Sequence, residues 1–249
     1  MARYFIELSY KGTNYSGFQS QHNANTIQAE VEKAIEILRK EKIELVSSSR
    51  TDAGVHALKN YFHFDSLQPG DWKSVAYKLN AILPDDIVIK EIISVNDEAH
   101  CRFDALSREY NYFIYRQKNP FLRERAFYYP YKLDIDKLNE AARLLKAYSD
   151  FTSFSKRNTQ VKTFICAIAE SKWVYEEECL VYNVKANRFL RGMVRALTAT
   201  MLKVGRGTIT IEEFKQVIEA RDCTKASFAV PAQGLFLVNV EFPESIIRK

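Results

Sequence analysis

The sequence has few of the residues that bind metals or cross-link small folds. Four cysteines are widely scattered and no two form a C-x-x-C pair: Cys101, Cys166, Cys179 and Cys223. The four histidines show no metal-ligand spacing either. This inventory argues against a zinc site, and we therefore expect free buried thiols, no metal and no other cofactor.

Long apolar runs are also missing. No stretch approaches the roughly 20 apolar residues that a membrane-spanning helix needs. The N-terminal residues Met1–Tyr4 lead directly into a strand pattern and do not resemble a signal peptide. The composition, with 47% hydrophobic and 27% charged residues, is typical of soluble globular proteins. We therefore expect no membrane attachment and a cytoplasmic location.

Acidic residues are absent from one long stretch, and this absence points to a class of partner. The formal net charge of the 249-residue chain is only +5, but no acid lies between Lys185 and Ile211. This stretch holds six basic residues: Lys185, Arg188, Arg191, Arg195, Lys203 and Arg206. Aromatic residues make up 13% of the chain. Basic and aromatic residues together can contact phosphates and stack on bases, so a nucleic-acid partner is a reasonable hypothesis.

One polar stretch between two strand patterns contains a candidate catalytic residue. Ser47–Leu58 reads SSSRTDAGVHAL and separates the strand pattern of Ile43–Val46 from that of Tyr61–Phe64. It places Asp52 beside an arginine and a glycine on a short loop. An aspartate followed two residues later by glycine is also ordinary turn chemistry, which is the simpler interpretation on these residues alone.

The periodicity of apolar residues predicts an α+β fold in two halves. The first half reads β-α-β-β-α-β, the order of a split βαβ unit. Its predicted elements are a strand over Arg3–Lys11, a helix starting after Asn25 or Thr26, a strand over Ile43–Val46, a strand from Tyr61, a helix over Asp71–Leu83 and a strand over Ile87–Val95.

The second half broadly repeats this order. Its predicted elements are a strand over Glu109–Arg116, a helix starting at Asp134 or Asp136, a polar loop over Ser155–Lys162, strands over Phe164–Tyr175 and Cys179–Ala186, helices over Arg188–Val204 and Ile211–Glu219, and a strand over Leu235–Phe242. We predict domains over residues 1–103 and 104–249, with mainly antiparallel sheets that leave a central cleft.

Two further patterns allow either a structural or a functional interpretation. Arg188, Arg191 and Arg195 are spaced by three and four residues, so a helix over this region would carry them on one face. A solvated basic stripe is the simpler interpretation for the first two. Tyr110 lies on a predicted strand, where most tyrosines serve packing.

The string RTDAGVHA at Arg50–Ala57 resembles the catalytic motif of the tRNA pseudouridine synthase A family. Other segments resemble further family motifs in the expected order: Tyr10–Gly12, Gly17–Gln21, Ser107–Tyr112, Phe189–Arg195 with Val204–Gly207, and Ala232–Leu237. The resemblance extends from about Tyr4 to Phe242. Two positions differ, since the family more often has tryptophan at Phe18 and histidine at Arg191, and the role of Arg191 is left open.

This resemblance implies a pseudouridine synthase fold and a cofactor-free isomerisation of uridine to pseudouridine at positions 38, 39 and 40 of the tRNA anticodon stem-loop. It implies that Asp52 is catalytic, that Tyr110 stacks on the target base, and that Arg195 pairs with the aspartate. Arg50 would act beside the flipped nucleotide, and Leu235 would pack next to the site.

The resemblance also implies the partners of the chain. The expected partner is tRNA rather than DNA, and the expected assembly is a homodimer in which one tRNA contacts both subunits. Because uridine must leave its stack, basic side chains are expected to hold the RNA backbone. These side chains are Arg102, Arg108, Arg188 and Arg206.

Two other functions can be weighed against this one. A non-catalytic RNA-binding protein could carry aromatics on sheets of β-α-β-β-α-β order, but it would not need the intact RTDAGVHA string. An aspartic hydrolase is suggested by Thr51–Gly54 alone. That chemistry requires a second carboxylate of the same kind, and no second such string occurs in the sequence.

Overall fold

The computed structural model describes residues 1–68, 71–157, 159 and 161–247, and the chain divides into two compact units. One unit consists of Met1–Leu106 with Phe236–Lys249, and the other of Ser107–Leu235. The division after Leu106 lies close to the predicted boundary after residue 103. The C-terminal segment, which we had expected in the second domain, instead belongs to the first unit because its strand pairs there.

The first unit is built from strands β1 to β4 and two helices. Its elements in order are β1 (Ala2–Tyr10), α1 (Ile27–Arg39), β2 (Val46–Ser47), β3 (His56–Ser66), α2 (Trp72–Asn80) and β4 (Ile87–Ser94). Strand β1 pairs antiparallel with β3 on one side and with β4 on the other, and the short β2 pairs antiparallel with β3. The predicted β-α-β-β-α-β order is therefore confirmed in this unit.

The second unit contains the remaining helices. Its elements are β5 (Ser107–Tyr115), β6 (Phe127–Tyr128), α3 (Ile135–Leu144), β7 (Ile168–Glu176), β8 (Cys179–Ala186), α4 (Met193–Gly205) and α5 (Ile211–Glu219). Strand β8 lies between β5 and β7 and pairs antiparallel with both, while β6 pairs parallel with β5. The polar loop predicted over 155–162 includes residues 158 and 160, which lie outside the described residues.

The last strand, β9 (Leu235–Glu241), pairs parallel with the start of β3, where His56 is opposite Phe236. Counted over the described part of the chain, there are nine strands, mostly paired antiparallel, and five α-helices. The α+β class is therefore confirmed. None of these helices is long and apolar enough to cross a bilayer.

Helix α1 shows how local sequence sets an element. The Thr26 side chain accepts a hydrogen bond from the Ala29 amide at 3.3 Å and so caps the helix, which selects Thr26 over Asn25 as its start. Ile27, Val31 and Ile35 are buried along one face, as the apolar spacing predicts. The helix ends at Arg39, because the next residue, Lys40, has a left-handed backbone with φ of 53°.

The predicted start of α4 is wrong. The helix begins at Met193 rather than Arg188, because Gly192 has a left-handed φ of 74° that interrupts the helical path. Arg188 and Arg191 precede the helix, so they do not share a helix face with Arg195. The arginine spacing alone could not reveal this break.

Candidate active site

The Asp52 loop connects β2 to β3 in the first unit. Val55 donates its amide to the Asp52 carbonyl at 3.2 Å, and Gly54 between them has a φ of 77°. The loop therefore contains the turn that the Asp-x-Gly spacing predicts. Asp52 is partly buried in this turn, and the side chain of Arg50 is exposed.

Buried polar side chains hold the loop on the N-terminal side of Asp52. The Tyr10 hydroxyl on β1 lies 2.8 Å from the Thr51 Oγ1. Asn60 on β3 donates its side-chain amide to the Tyr10 oxygen at 3.1 Å and to the Ser49 carbonyl at 3.0 Å. Asn60 is fully buried, and Tyr10 is nearly so. Ser49, which precedes Arg50, and Thr51, which precedes Asp52, are thus bonded to side chains of the adjacent strands β3 and β1.

A segment about 40 residues upstream holds the other side of the loop. Gly12 donates its amide to His56 Nδ1 at 3.0 Å, and its Cα approaches so closely that a Cβ would lie 2.0 Å from the Val55 carbonyl oxygen. The same upstream segment also contacts the N-terminal side, where Phe18 donates its amide to the Thr51 carbonyl at 3.1 Å. Only glycine, which has no Cβ, permits the close approach of residue 12 to the Val55 carbonyl.

These contacts preorganise the backbone that carries Asp52. The residues before and after it are bonded to separate parts of the sheet or of the upstream segment, so the loop has little freedom to shift. A reacting carboxylate benefits from such a framework because its position is set before the substrate arrives. The sequence motif indicated the loop, but not the hydroxyl and amide side chains that hold it.

Arg195 lies in the first turn of α4 in the second unit. Its Nε and Nη2 both donate to the Val230 carbonyl, at 3.0 and 2.7 Å. Two hydrogen bonds to one oxygen fix the plane of the guanidinium group, which a single bond would not do. Arg195 is partly buried there.

The segment that contains Val230 leads to Leu235. The Tyr112 hydroxyl on β5 donates to the Pro231 carbonyl at 2.7 Å, and a Cβ on Gly234 would lie 2.7 Å from Tyr112 Cζ. Tyr112 is fully buried, and Leu235 is buried at the start of β9. The Arg195 side chain is therefore bonded to the segment that leads from Val230 to Leu235.

Tyr110 occupies the centre of β5, where it pairs with Val184 of β8. Its ring meets the edge of Phe189 with centroids 5.1 Å apart and planes at 86°. Such an edge contact fixes the orientation of a partly buried ring. Phe189 was known from the sequence only as a motif position, and its contact with Tyr110 could not be predicted from spacing.

The arginines expected on the RNA backbone differ in exposure. Arg102 and Arg206 are exposed, and Arg206 lies 3.8 Å from the ring centroid of Tyr131. Arg108 is buried and donates to the Asn187 carbonyl at 3.1 Å. Its guanidinium group therefore holds the residue that follows β8, and its contact with RNA stays a prediction.

Comparison with known proteins agrees with these motifs. A family model described as tRNA pseudouridine synthase matches residues 8–104 and 141–243. The chain belongs to this family. Proteins named tRNA pseudouridine synthase A are 47% identical in Parabacteroides distasonis and 46% identical in Bacteroides thetaiotaomicron. The first match covers 99% of this chain and 98% of the relative, and the second covers 100% and 94%. A protein of the same name in Staphylococcus saprophyticus is 39% identical, over 99% of this chain and 93% of the relative.

Membership in the tRNA pseudouridine synthase family identifies the chain as an isomerase that converts uridine to pseudouridine. The matched residues include Asp52 and Arg50 in the first segment and Arg195 and Leu235 in the second. Tyr110 lies between the two matched segments. Within the described residues, no group of three or more His, Cys, Asp or Glu side chains is arranged to hold a metal ion.

Proposed function

We propose that this chain isomerises uridines at positions 38, 39 and 40 in the anticodon stem-loop of tRNA, with Asp52 as the catalytic carboxylate. The observation that carries this proposal is the intact RTDAGVHA motif on a loop held on both sides of the aspartate.

The reaction requires one bond exchange and no redox change. The C1′–N1 bond of uridine breaks, the uracil turns, and a C1′–C5 bond forms while the C5 hydrogen leaves as a proton and N1 regains one. A carboxylate can begin this exchange by attacking the ribose, by attacking the uracil ring or by removing a ribose proton. All three roles place the Asp52 oxygen at the junction of sugar and base.

Access to that junction requires the uridine to leave its stack, which costs a few kcal/mol. Arg50 is exposed two residues before Asp52, so it is placed to fill the vacated space or to hold the phosphate of the flipped nucleotide. Exposed cations elsewhere would offset the cost through contacts with the RNA backbone. Binding of tRNA should therefore weaken steeply with salt.

The remaining site residues take the roles that the family resemblance implies. Tyr110 offers a ring face for the uracil, and Phe189 holds that ring in orientation. In this proposal Arg195 pairs with Asp52, and the plane of its guanidinium group is fixed by the Val230 carbonyl. Leu235 packs beside the site. We further propose a cytoplasmic homodimer that binds tRNA in preference to DNA.

Substitution of Asp52 by asparagine tests the catalytic assignment, because it keeps the side-chain volume and removes the charge. The expected result is unchanged tRNA affinity and no release of tritium from tRNA labelled at uridine C5. Asp85→Asn is the matched control, since Asp85 is an exposed aspartate of the same unit, and it should release tritium at the parent rate. Normal release by the Asp52 variant would remove the aspartate from the mechanism.

The same assay separates the enzyme from a non-catalytic RNA-binding protein. Parent protein that binds tRNA but forms no pseudouridine at any position would favour the binding protein. Mapping of pseudouridine in bulk tRNA after treatment identifies the positions modified. Light scattering of the protein alone measures the oligomeric state, and competition by DNA of equal length measures the preference for RNA.

A further inference from the structure

A compact turn near the end of the first unit exposes one aromatic ring. Phe103 and Asp104 both donate their amides to the His100 carbonyl, at 3.1 and 3.0 Å. The His100 amide in turn donates to Asp104 Oδ2 at 2.7 Å, and the Arg102 amide donates to His100 Nδ1 at 3.1 Å. Several polar groups of the turn therefore bond to one another and define its conformation.

Buried contacts attach this turn to the sheet. Cys101 is fully buried, and its amide donates to His63 Nδ1 on β3 at 3.3 Å. Its thiol donates to the Val46 carbonyl at 3.1 Å. Arg3 on β1 donates to the Ala99 carbonyl at 2.9 Å. The turn is thus bonded to three strands, β1, β2 and β3.

Phe103 in this turn is 74% exposed. The His100 ring supports it from one side, with centroids 4.2 Å apart, and the Arg102 guanidinium carbon lies 5.8 Å from its centroid. A phenylalanine so exposed adds little to the core. The stability of the fold therefore does not explain why an exposed ring is carried on such a well-bonded turn.

We propose that Phe103 is a stacking platform for an unpaired base of the tRNA substrate, with Arg102 on the adjacent backbone phosphate. An exposed aromatic face beside a guanidinium group is the arrangement that single-stranded RNA uses, since every base offers a π-face. A ring fixed beforehand loses little conformational entropy when the base binds. Phenylalanine has no hydrogen-bonding group, so this contact tolerates any base.

Charge favours RNA over a protein partner at this position. Arg102 is exposed beside the ring, and the chain carries a net charge of +5, so this surface attracts the phosphates of an RNA backbone. The inference rests on the proposed function in that the nucleic acid is the tRNA substrate. It adds a binding contact to that function and assigns Phe103 no part in the chemistry.

Binding of a fluorescent, unmodified tRNA transcript to the Asp52→Asn protein tests this contact without turnover. Phe103→Ala should weaken binding about ten- to a hundredfold, and Phe103→Leu should remain weak because it lacks a π-face. Phe103→Tyr should restore affinity to within about threefold of the parent value. Tyr77→Ala is the matched control, since Tyr77 is 82% exposed in the same unit, and its affinity should match the parent.

Salt dependence separates stacking from charge. The slope of log Kd against log salt should be unchanged in Phe103→Ala, whereas Arg102→Ala should reduce it by about one. Parent-like affinity in Phe103→Ala would overturn the proposal, and so would a loss of dimer in light scattering, which would assign the ring to a protein contact. A parent protein that forms no pseudouridine would instead contradict the proposed function.

Discussion

The hydroxyl groups of Tyr10 and Thr51 lie 2.8 Å apart, and the residue after Thr51 is the candidate catalytic aspartate. This contact joins the end of β1 to the loop that follows β2. Asn60 completes it by donating to the Tyr10 oxygen. The position of Asp52 thus depends on a buried polar network in which Thr51 of the motif contacts side chains outside the motif.

Replacement of Tyr10 by phenylalanine should loosen this network. We expect kcat for pseudouridine formation to fall about tenfold with tRNA affinity unchanged, because a small shift of the reacting group is costly while the binding surface stays intact. Tyr61→Phe is the control, since its buried hydroxyl donates to Glu7 away from the loop. Both variants should lose about 1 kcal/mol of stability. Equal losses of kcat in the two would show that Tyr10 acts only through stability.

Gly12→Ala should disturb the far side of the same loop. The added Cβ would meet the Val55 carbonyl at 2.0 Å, so the two backbone segments must separate. We expect a loss of about 3 kcal/mol in the free energy of unfolding, measured with urea. Gly207→Ala provides a comparison, because Gly207 has a φ of 72° with open space around it, and strain alone costs about 1 kcal/mol. Similar losses in both would argue against the backbone clash.

The stability of the protein should depend on His63 below neutral pH. Burial, together with the nearby charges of His100 and Arg3, lowers the pKa of His63 to about 4, although Asp65 and Asp104 oppose this. Between pH 6.5 and about 4 the unfolded chain therefore binds a proton that the folded chain does not, so stability falls as pH falls through this window. The cost is about 2 kcal/mol at pH 5 relative to pH 7.5.

Urea unfolding at these two pH values measures this contribution. His63→Gln should lower the free energy of unfolding at pH 7.5. Between pH 7.5 and pH 5, however, the free energy of unfolding of this variant should fall by about 2 kcal/mol less than that of the parent. His22→Gln, at an exposed histidine, should retain the pH dependence of the parent. An unchanged pH dependence in the His63 variant would exclude this histidine as its source.

Arg195→Lys should preserve the positive charge but remove the planar guanidinium group that binds the Val230 carbonyl. Lysine cannot reproduce the two donors on a rigid plane that converge on the Val230 carbonyl oxygen, so its ammonium group would be less well oriented. We expect kcat to fall at least about tenfold with little change in tRNA affinity. Arg221→Lys is the control, because Arg221 is 69% exposed and forms a surface ion pair with Asp150 at 3.1 Å, which contributes little. An Arg195→Lys enzyme with parent kcat would show that charge alone suffices.

Local sequence was sufficient where an element carries its own boundary signals. Helix α5 was predicted over Ile211–Glu219, and the structure has the same bounds, because Thr210 and Glu213 form a reciprocal capping box. The start of α1 was reduced to two candidates for the same reason. By contrast, the start of α4 was placed five residues too early, since no spacing of arginines reports the left-handed backbone at Gly192.

The sequence by itself determined the α+β class, the order of the elements and the motif that contains Asp52, because apolar periodicity and a contiguous string are properties of neighbouring residues. Only the tertiary structure decided which distant groups hold that motif, namely Tyr10 and Asn60 on one side and Gly12 on the other. It also decided that Phe103 stands exposed on a braced turn. Hydrogen bonds and close backbone approaches join residues far apart in the chain, and their geometry exists only after the strands have paired.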